Sequence, residues 1–454
     1  MILAQVLRCW RFPASQRGFS SVSNPVIKEN DVLLIRQEGS KYAKWHLTPP
    51  LRPGRRVKLS YGSVLHAEDL IGKNLMERLT DEGGRKIEVQ MPSLAGYVVH
   101  SKRIATPIYP QDAATIVSLL DLHLTRPGED EEDSSEEQAT RTVDSTPFEI
   151  FEAGTGMGSL TLHIARAIHA ANPPTPSSLR SALPNSFLLS STTSQPDSQC
   201  TGPSSPALLG GLEESELTAL QEYRSSRRAV IHTLDKNEKH IQEAYKFIRN
   251  FRRSQYLPSI DFYTSTTISD FLTTRLTANA NQPFLSRAIL DLPSAHSHAQ
   301  PVLASLLPAG LLVVFAPSIS QIAEFQKWCL ETRQNARLER VIELPTTVAS
   351  ETMPDSGAGG RSWEVKVVRE RGEGEWVQVM RPRVGDRVAG GGFIAVLRKM
   401  AERSEVVEDR GGAGEEFSSP EMGQSGFETL EEEETLSESV NVDVKAEGSE
   451  PKSP

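Results

Sequence analysis

The stretch FEIFEAGTGMGSLTLHIARAI, residues 148–168, decides the fold class of this chain. Its opening FEIFEA predicts a buried β-strand, and a helical pattern begins at Ser159. Gly154, Gly156 and Gly158 lie between the two elements. Glycines in a strand-to-helix turn let the main chain approach a ligand, and the following helix offers free N–H groups. A tight connection without any ligand is the alternative interpretation.

The spacing of these glycines distinguishes two kinds of ligand. A dinucleotide-binding turn has the pattern G-x-G-x-x-G, whereas this turn has the pattern G-x-G-x-G with an acid before it. The shorter pattern is usual in S-adenosylmethionine-dependent methyltransferases, whose cofactor has no pyrophosphate. The turn therefore predicts a cofactor site of the methyltransferase kind.

Strands and helices alternate after the glycine turn. We predict strands at RAVIHTLD, SIDFYTS, RAILDLP and GLLVVFAPS, a helix at NEKHIQEAYKFIRNF, and closing strands at LERVIEL and GFIAVLRK. Such alternation is typical of a largely parallel sheet with helices on both faces. The sequence therefore predicts an α/β fold with a Rossmann-like class I methyltransferase domain.

A small β domain is expected before this region. The segments VLLIRQ, RRVKLS, KIEVQMP and AGYVVH are strand-like and are separated by Gly and Pro turns, which predicts a β domain over residues 25–105. The methyltransferase domain would then cover residues 106–400, with its first helix at QDAATIVSLLDLHL.

Composition indicates that parts of the chain have no packed core. Only 38% of the 454 residues are hydrophobic, with 29 prolines and 31 glycines, which is low for a fully folded chain of this length. We predict disordered insertions at about 128–145 and 172–222, and a disordered acidic tail at 401–454.

The net charge of −10 is concentrated in the first insertion and the tail, so the remaining regions are closer to neutral or basic.

The first residues resemble a targeting segment. They contain Arg8, Arg11 and Arg17 but no acid before Glu29, which is typical of a mitochondrial transit peptide. We therefore expect residues 1–24 to direct the protein to the mitochondrial matrix. A disordered N-terminus with this composition by chance is the alternative.

Cysteines and apolar runs exclude other classes of protein. Cys9, Cys200 and Cys329 are far apart and form no CxxC pair, so neither a disulfide framework nor a metal site is predicted. The longest apolar run, PVLASLLPAGLLVVFAP, is interrupted by proline and glycine, and it is too short to predict a membrane span.

Two aspartates follow later strands of the predicted sheet. Without the second insertion, VIHTLD would follow the glycine helix directly, so Asp235 would end the next strand, where a ribose-binding acid belongs. Asp291 in ILDLPS ends the fourth strand at the same edge. A carboxylate there could accept a hydrogen bond from the exocyclic amine of adenine and stabilise the charge that N1 gains on methylation. A helix N-cap for Asp235 and a turn-forming role for Asp291 are the alternatives.

Several separate blocks resemble the catalytic subunit of the tRNA (adenine-N1)-methyltransferases that modify position 58, the TrmI family. YGSVLHAEDLIG resembles its G-x-x-x-H-x-x-x-I-G signature, and SKRIATPIYPQDAATIVSLLDL its r-x-t-p-x-Y-P-k-D segment. FEAGTGMGSLTLHIARAI resembles its cofactor loop, LDLPS its D-x-P motif, and FAPSISQIAEF its P-x-x-x-Q block. RSWEVKVV, MRPRV and GGFIAVLRK are similar to its C-terminal part.

The resemblance implies S-adenosylmethionine as methyl donor and tRNA as substrate. Tyr109 would contact the target base or the RNA, and Asp291 the target adenine, so these are the candidate catalytic residues; Tyr109 could instead be an ordinary interfacial aromatic. The expected cofactor-binding residues are Gln111, Glu152, Gly154, Thr155, Gly156, Met157, Gly158, Ser159, Asp235 and Asp291. Members of the mitochondrial type form homotetramers, whereas nuclear members pair with a non-catalytic subunit, so we expect a homotetramer.

The chain also departs from the family pattern. SAHSHAQ stands where an aromatic residue follows D-x-P, and VAGGGF stands where the family has G-H-T. A non-catalytic tRNA-binding subunit is therefore an alternative, although such partners typically lose the glycine turn and the catalytic aspartate. A methyltransferase of the same fold that acts on protein or a small molecule is a further alternative.

Two clusters of basic residues are candidates for binding RNA phosphates. A solvated basic face is the alternative for each cluster. The clusters comprise Arg52, Arg55, Arg56 and Lys58, and Arg249, Arg252 and Arg253.

Overall fold

The computed structural model describes most of the region between the N-terminus and residue 401. The described ranges are 25–39, 43–75, 77–124, 147–189, 205–264, 267–349, 363–369, 376–382 and 387–401. The predicted transit peptide, the insertion at about 128–145 and, from residue 402, the acidic tail lie outside the described residues.

The N-terminal region is a small β domain, as predicted. Its four-stranded antiparallel sheet has the order β2-β1-β6-β5, and a separate two-stranded ladder pairs β3 with β4. The core contains Leu33, Ile35, Val57, Leu65 and Val89. The elements are β1 (Leu34–Gln37), β2 (His46–Leu47), β3 (Arg56–Lys58), β4 (Val64–His66), α1 (Ala67–Leu70), β5 (Leu79–Thr80) and β6 (Lys86–Gln90).

The segment AGYVVH is a helix, and the prediction of a strand there was wrong. Helix α2 (Leu94–His100) begins after Ser93, whose hydroxyl accepts a hydrogen bond from the N–H of Gly96 at 3.0 Å. Periodicity does not separate a short buried helix from a strand, because both are apolar on all sides. Tyr97, on this helix, donates a hydrogen bond from its hydroxyl to the carbonyl of Phe247 at 2.6 Å, which ties the helix to the larger domain.

A seven-stranded sheet forms the centre of the larger domain. Its order is β11-β10-β7-β12-β13-β17-β14, parallel from β11 to β13, with β17 antiparallel to both of its neighbours. This order confirms the predicted Rossmann-like class I methyltransferase fold, with its topological switch between β7 and β12. The strands are β7 (Phe148–Ala153), β10 (Ala229–Asp235), β11 (Ile260–Thr264), β12 (Leu285–Leu290), β13 (Leu306–Ala316), β14 (Ala336–Ala349) and β17 (Arg387–Lys399).

Helices cover both faces of this sheet. Alternate strand residues enter two separate cores, because successive side chains of a strand point to opposite faces; Ile150 belongs to one core and Phe151 to the other. The first core packs against α3 (Pro110–Leu119), α4 (Ser159–Ile168) and α7 (Glu238–Asn250). The second packs against α8 (Ile268–Ala278), α9 (His296–Ser305) and α10 (Ile319–Glu331).

We predicted that the insertion at about 172–222 is disordered. This prediction was wrong for the residues that the structure describes; residues 190–204 lie outside them. Here α5 (Ser177–Ala182) and α6 (Glu214–Ser225) pack on the domain, beside a short ladder of β8 (Phe187–Leu188) and β9 (Leu209–Gly210). The side chains that anchor them are few and stand among Ser, Pro and Glu, so they form no sequence period. They are Leu179, Leu183, Leu220 and Tyr223, each 4% exposed or less.

An apolar hairpin lies between β14 and β17 in the chain. Strands β15 (Trp363–Arg369) and β16 (Trp376–Pro382) pair antiparallel. Their side chains include exposed Trp363, Val367 and Trp376, which are 54%, 62% and 71% accessible.

No helix in the described part of the chain is long and apolar enough to span a membrane.

Packing of the insertion predicts that Leu179→Ala lowers the free energy of unfolding by about 2–5 kcal/mol, because this side chain is fully buried. The control Leu189→Ala, at a position that is 43% exposed, should change it by less than about 1 kcal/mol. Urea unfolding of both variants measures the difference, and equal effects would show that the insertion does not pack.

Candidate functional site

The glycine turn lies at the carboxyl edge of the sheet and contacts the end of β12. Gly154 has φ 99°, and a Cβ there would overlap the main-chain oxygen of Asp291. The N–H of Asp291 in turn donates to the carbonyl of Ala153 at 3.0 Å. Gly156 has φ 54°, and a Cβ there would meet nothing closer than 4.0 Å, so this position faces open space.

Asp235 lies against the same turn. Its Oδ2 accepts a hydrogen bond from the N–H of Gly156 at 3.0 Å, and its Oδ1 accepts one from the N–H of Asn237 at 2.9 Å. The N-cap interpretation of Asp235 was wrong, because Asn237 caps α7 by accepting from the N–H of Lys239. The structure therefore brings the predicted ribose acid to the predicted cofactor turn.

Asp291 is half-buried beside these groups. Burial, with a smaller contribution from the negative charge of Asp235, raises its pKa to about 6. Within the described part of the chain no hydrogen bond is made to its carboxylate. A side chain in this state is available to accept a hydrogen bond from a ligand.

Glu152 supports the turn from inside the protein. Its side chain is 1% exposed, and its Oε2 accepts hydrogen bonds from the hydroxyls of Thr161 at 2.6 Å and Thr233 at 2.8 Å. Burial raises its pKa to about 7, although the threonine hydroxyls oppose the shift. Direct contact of Glu152 with a cofactor stays a prediction.

Three other predicted cofactor residues turn their side chains into the protein. The hydroxyl of Thr155 lies 2.6 Å from that of Thr233, and Ser159 donates from its hydroxyl to the carbonyl of Ile108 at 2.7 Å. Met157 is 3% exposed. These residues, and Gly158 at the start of α4, could therefore contact a ligand chiefly through the main chain.

Tyr109 and Gln111 lie at the beginning of α3. The hydrogen bond from the Ser159 hydroxyl to the carbonyl of Ile108 connects this part of the chain to the glycine turn. The Oε1 of Gln111 is buried without a hydrogen-bond partner among the described residues, which fits contact with a ligand, because buried polar atoms are normally paired. Tyr109 is the N-cap residue of α3, and its hydroxyl accepts a hydrogen bond from Arg103 at 3.0 Å.

Sequence reasoning missed Asp112. It is 2% exposed, and its Oδ1 has no hydrogen-bond partner. Burial raises its pKa to about 6. Gly390 lies so close that a Cβ there would stand 2.7 Å from Oδ2 of Asp112. Gly390 belongs to VAGGGF, which departs from the family pattern, and Asp112 belongs to the YPQD segment. These two segments of the sequence together could have indicated the contact between Gly390 and Asp112.

Three carboxyl groups lie near one another in the site, and the imidazole Nδ1 of His240 lies 3.1 Å from Oδ2 of Asp235. Burial is the main cause of the raised pKa of Glu152 and of Asp291; the charges of Asp291 and Asp235 add smaller contributions by repulsion for Glu152, and that of Asp235 adds one for Asp291. A ligand with positive charge relieves this repulsion, whereas a pyrophosphate would increase it. No group of three or more His, Cys, Asp or Glu that could hold a metal occurs among the described residues.

Comparison with curated proteins identifies one related segment. The chain is 40% identical over 85 residues to the tRNA (adenine(58)-N(1))-methyltransferase TrmI of two strains of Thermus thermophilus, which covers 19% of this chain and 25% of each relative. The chain thus spans about a quarter of the length of the curated relatives it matches. Over this segment the predicted resemblance to the TrmI family is confirmed. No family model matches the chain.

Two solved structures align over most of the chain. A S-adenosylmethionine-dependent O-methyltransferase from Thermotoga maritima has a TM-score of 0.49 and 15% identity, and covers 84% of this chain and 97% of its own. TrmI from Aquifex aeolicus, a tRNA (m1A58) methyltransferase, has a TM-score of 0.44 and 15% identity. The alignment covers 83% of this chain and 100% of the Aquifex chain.

The glycine turn predicts different effects for two similar substitutions. Both Gly154→Ala and Gly156→Ala place a side chain at positive φ, which costs roughly 1–2 kcal/mol. Gly154→Ala also forces β7 away from Asp291, so it should lower the thermal unfolding midpoint further. Gly156→Ala should keep most of the stability but weaken binding of S-adenosylmethionine by about tenfold or more, as measured by titration calorimetry. Wild-type affinity in Gly156→Ala would show that this open space is not the cofactor site.

Proposed function

We propose that this protein transfers a methyl group from S-adenosylmethionine to N1 of adenosine 58 in the T-loop of tRNA. The observation that carries the proposal is the position of Asp291 at the end of β12, packed against the glycine turn. The segment related to TrmI supports the choice of substrate. A non-catalytic subunit would not need this arrangement, which speaks against that alternative.

The residues of the site fit the cofactor. S-adenosylmethionine, when bound, supplies an electrophilic methyl group on a positively charged sulfonium. Asp235 would accept hydrogen bonds from the ribose hydroxyls, and the main chain at Gly156 would lie beside the ligand. The buried amide oxygen of Gln111 would gain the partner that it lacks. Glu152 and Asp291 add negative charge, which favours a cationic ligand.

Asp291 would orient the target base. Its carboxylate accepts a hydrogen bond from the exocyclic amine of adenine, which increases the electron density at N1 and stabilises the charge that N1 acquires. The adenosine must leave its stack to reach this edge of the sheet. Tyr109 would contact the extruded base, because it is the N-cap residue of α3 and lies next to Gln111, which is expected to contact the cofactor.

The proposal includes a homotetramer in the mitochondrial matrix. Exposed Trp363, Val367 and Trp376 on the β15–β16 hairpin support association, because apolar patches of this kind are usual at interfaces between subunits. The arginine-bearing, acid-free composition of residues 1–24 supports the location.

The central role of Asp291 predicts the pH dependence of methylation. Burial raises the pKa of Asp291 to about 6, and only the ionised carboxylate carries the negative charge that stabilises the cation forming at N1, so kcat/KM should rise about tenfold per pH unit below pH 6 and level off above it. The assay incubates full-length protein with labelled S-adenosylmethionine and tRNA, and then maps N1-methyladenosine.

Two aspartate-to-asparagine variants distinguish the specific role of the Asp291 carboxylate from the general effect of removing one negative charge. Asp291→Asn should reduce kcat/KM by about 100-fold or more, whereas Asp270→Asn, at an exposed aspartate on α8, should leave it unchanged. Full activity of Asp291→Asn, or no methylation of any tRNA by the wild type, would refute the assignment.

A further inference from the structure

A large cavity lies between the β domain and the methyltransferase domain. Its volume is about 990 Å³, and its walls come mainly from the stretch that runs from Trp45 through β2 to Arg55, from the end of α2 with the residues after it, and from α7. Met157 of the glycine turn is among the residues that line it, whereas Gly154, Asp235 and Asp291 are not. The cavity therefore adjoins the glycine turn but does not include the acids at the carboxyl edge of the sheet.

The cavity wall carries a strong excess of positive charge. Among the described residues that line it, Glu243 alone is acidic. Its nearest cation, Lys246, lies 3.6 Å away in a solvent-exposed pair, which is worth little energetically. The basic residues of the wall are Arg52, Arg55, Lys102, Arg103, Lys246 and Arg249.

Neutral groups hold several of these arginines in place. Arg249 donates to the carbonyl of Ser186 at 2.6 Å, and Arg52 donates to that of Pro184 at 3.5 Å. Within the described part of the chain neither guanidinium has a carboxylate partner. Carbonyl contacts fix the direction of a guanidinium without neutralising its charge, so the wall is prepared for an anion.

The structure separates the basic residues that sequence reasoning had grouped. Arg253 forms an ion pair with Asp31 at 3.3 Å, and Arg252 donates to the carbonyl of Pro92 at 3.2 Å. Both therefore connect the two domains, and they do not line the cavity; nor do Arg56 and Lys58.

One residue links the cavity to the proposed base contact. Arg103 lies in the cavity wall, and its guanidinium stands 5.3 Å from the ring centroid of Tyr109 while it donates to the hydroxyl of that residue. An anionic chain in the cavity would therefore end beside Tyr109.

We propose that this cavity binds the sugar–phosphate backbone of the RNA next to the extruded adenosine. The inference rests on the proposed function, because it takes Tyr109 as the residue that contacts the base. A phosphodiester chain fits the wall because its charges are evenly spaced and each can be matched by a separate Lys or Arg. Displacement of counterions from these phosphates would supply affinity without sequence specificity.

The test compares the salt dependence of tRNA binding in matched variants of the full-length protein. Lys102→Gln/Lys246→Gln removes two exposed cations of the cavity, whereas the control Lys73→Gln/Lys327→Gln removes two exposed cations elsewhere. Fluorescence anisotropy gives Kd for tRNA at several salt concentrations, and calorimetry gives the affinity for S-adenosylmethionine.

The cavity variant should bind tRNA about tenfold more weakly at 0.1 M salt. The magnitude of its log–log salt slope should decrease by about 1.4, or about 0.7 for each phosphate contact that is lost from a single strand. The control should keep the wild-type slope, and both variants should bind S-adenosylmethionine normally. A slope of smaller magnitude in the cavity variant would show that the cavity binds RNA phosphates even if the wild type methylates no tRNA; the absence of methylation would refute the proposed function and, with it, the position of the target adenosine beside the cavity.

Two results would overturn the inference. An unchanged slope in a cavity variant that still methylates tRNA would place the RNA elsewhere and leave the proposed function intact. Saturable binding of inorganic phosphate that this variant loses, with an unchanged slope for tRNA, would instead indicate a site for small anions.

Discussion

The close approach of Gly154 to the main chain of Asp291 is the constraint on which the site depends. It joins the ends of β7 and β12 at the topological switch of the sheet, where no Cβ would fit between them. Because Gly156 follows in the same turn and donates to Asp235, this contact also fixes the distance between the ribose acid and the aspartate that would orient the base.

The site concentrates negative charge at a cost in stability. The pKa of Glu152 is raised from 4.5 to about 7, mainly by burial, so the folded protein binds this proton more tightly than the unfolded chain does. The resulting contribution to stability is complete below about pH 4.5 and is lost as the pH rises to about 7. A cationic ligand would be attracted by these carboxyl groups, and the basic cavity next to the turn would attract the opposite charge. Under the proposed function, one molecule would bind a positively charged cofactor and a polyanionic substrate at neighbouring places.

Much of the fold and the principal site residues could be predicted because they follow from chain order. A glycine turn after one strand, and acids after the second and fourth, must meet at one edge of a parallel sheet, and the structure places Asp235 and Asp291 there. The helices of the insertion could not be predicted, because a few leucines among serines and prolines show no period. The threonine partners of Glu152 were also missed, since hydroxyls carry no distinctive pattern. The basic cavity joins Arg52, Arg103 and Arg249, which lie far apart in the chain and meet only after folding.

A crystal structure of the protein with bound S-adenosylmethionine tests the central claim most directly. The account predicts that the ribose hydroxyls lie within about 3 Å of the Asp235 carboxylate and that the sulfonium methyl group faces the Asp291 carboxylate across the space above Gly156. A cofactor bound away from the glycine turn, or an Asp291 side chain directed away from the methyl group, would contradict it.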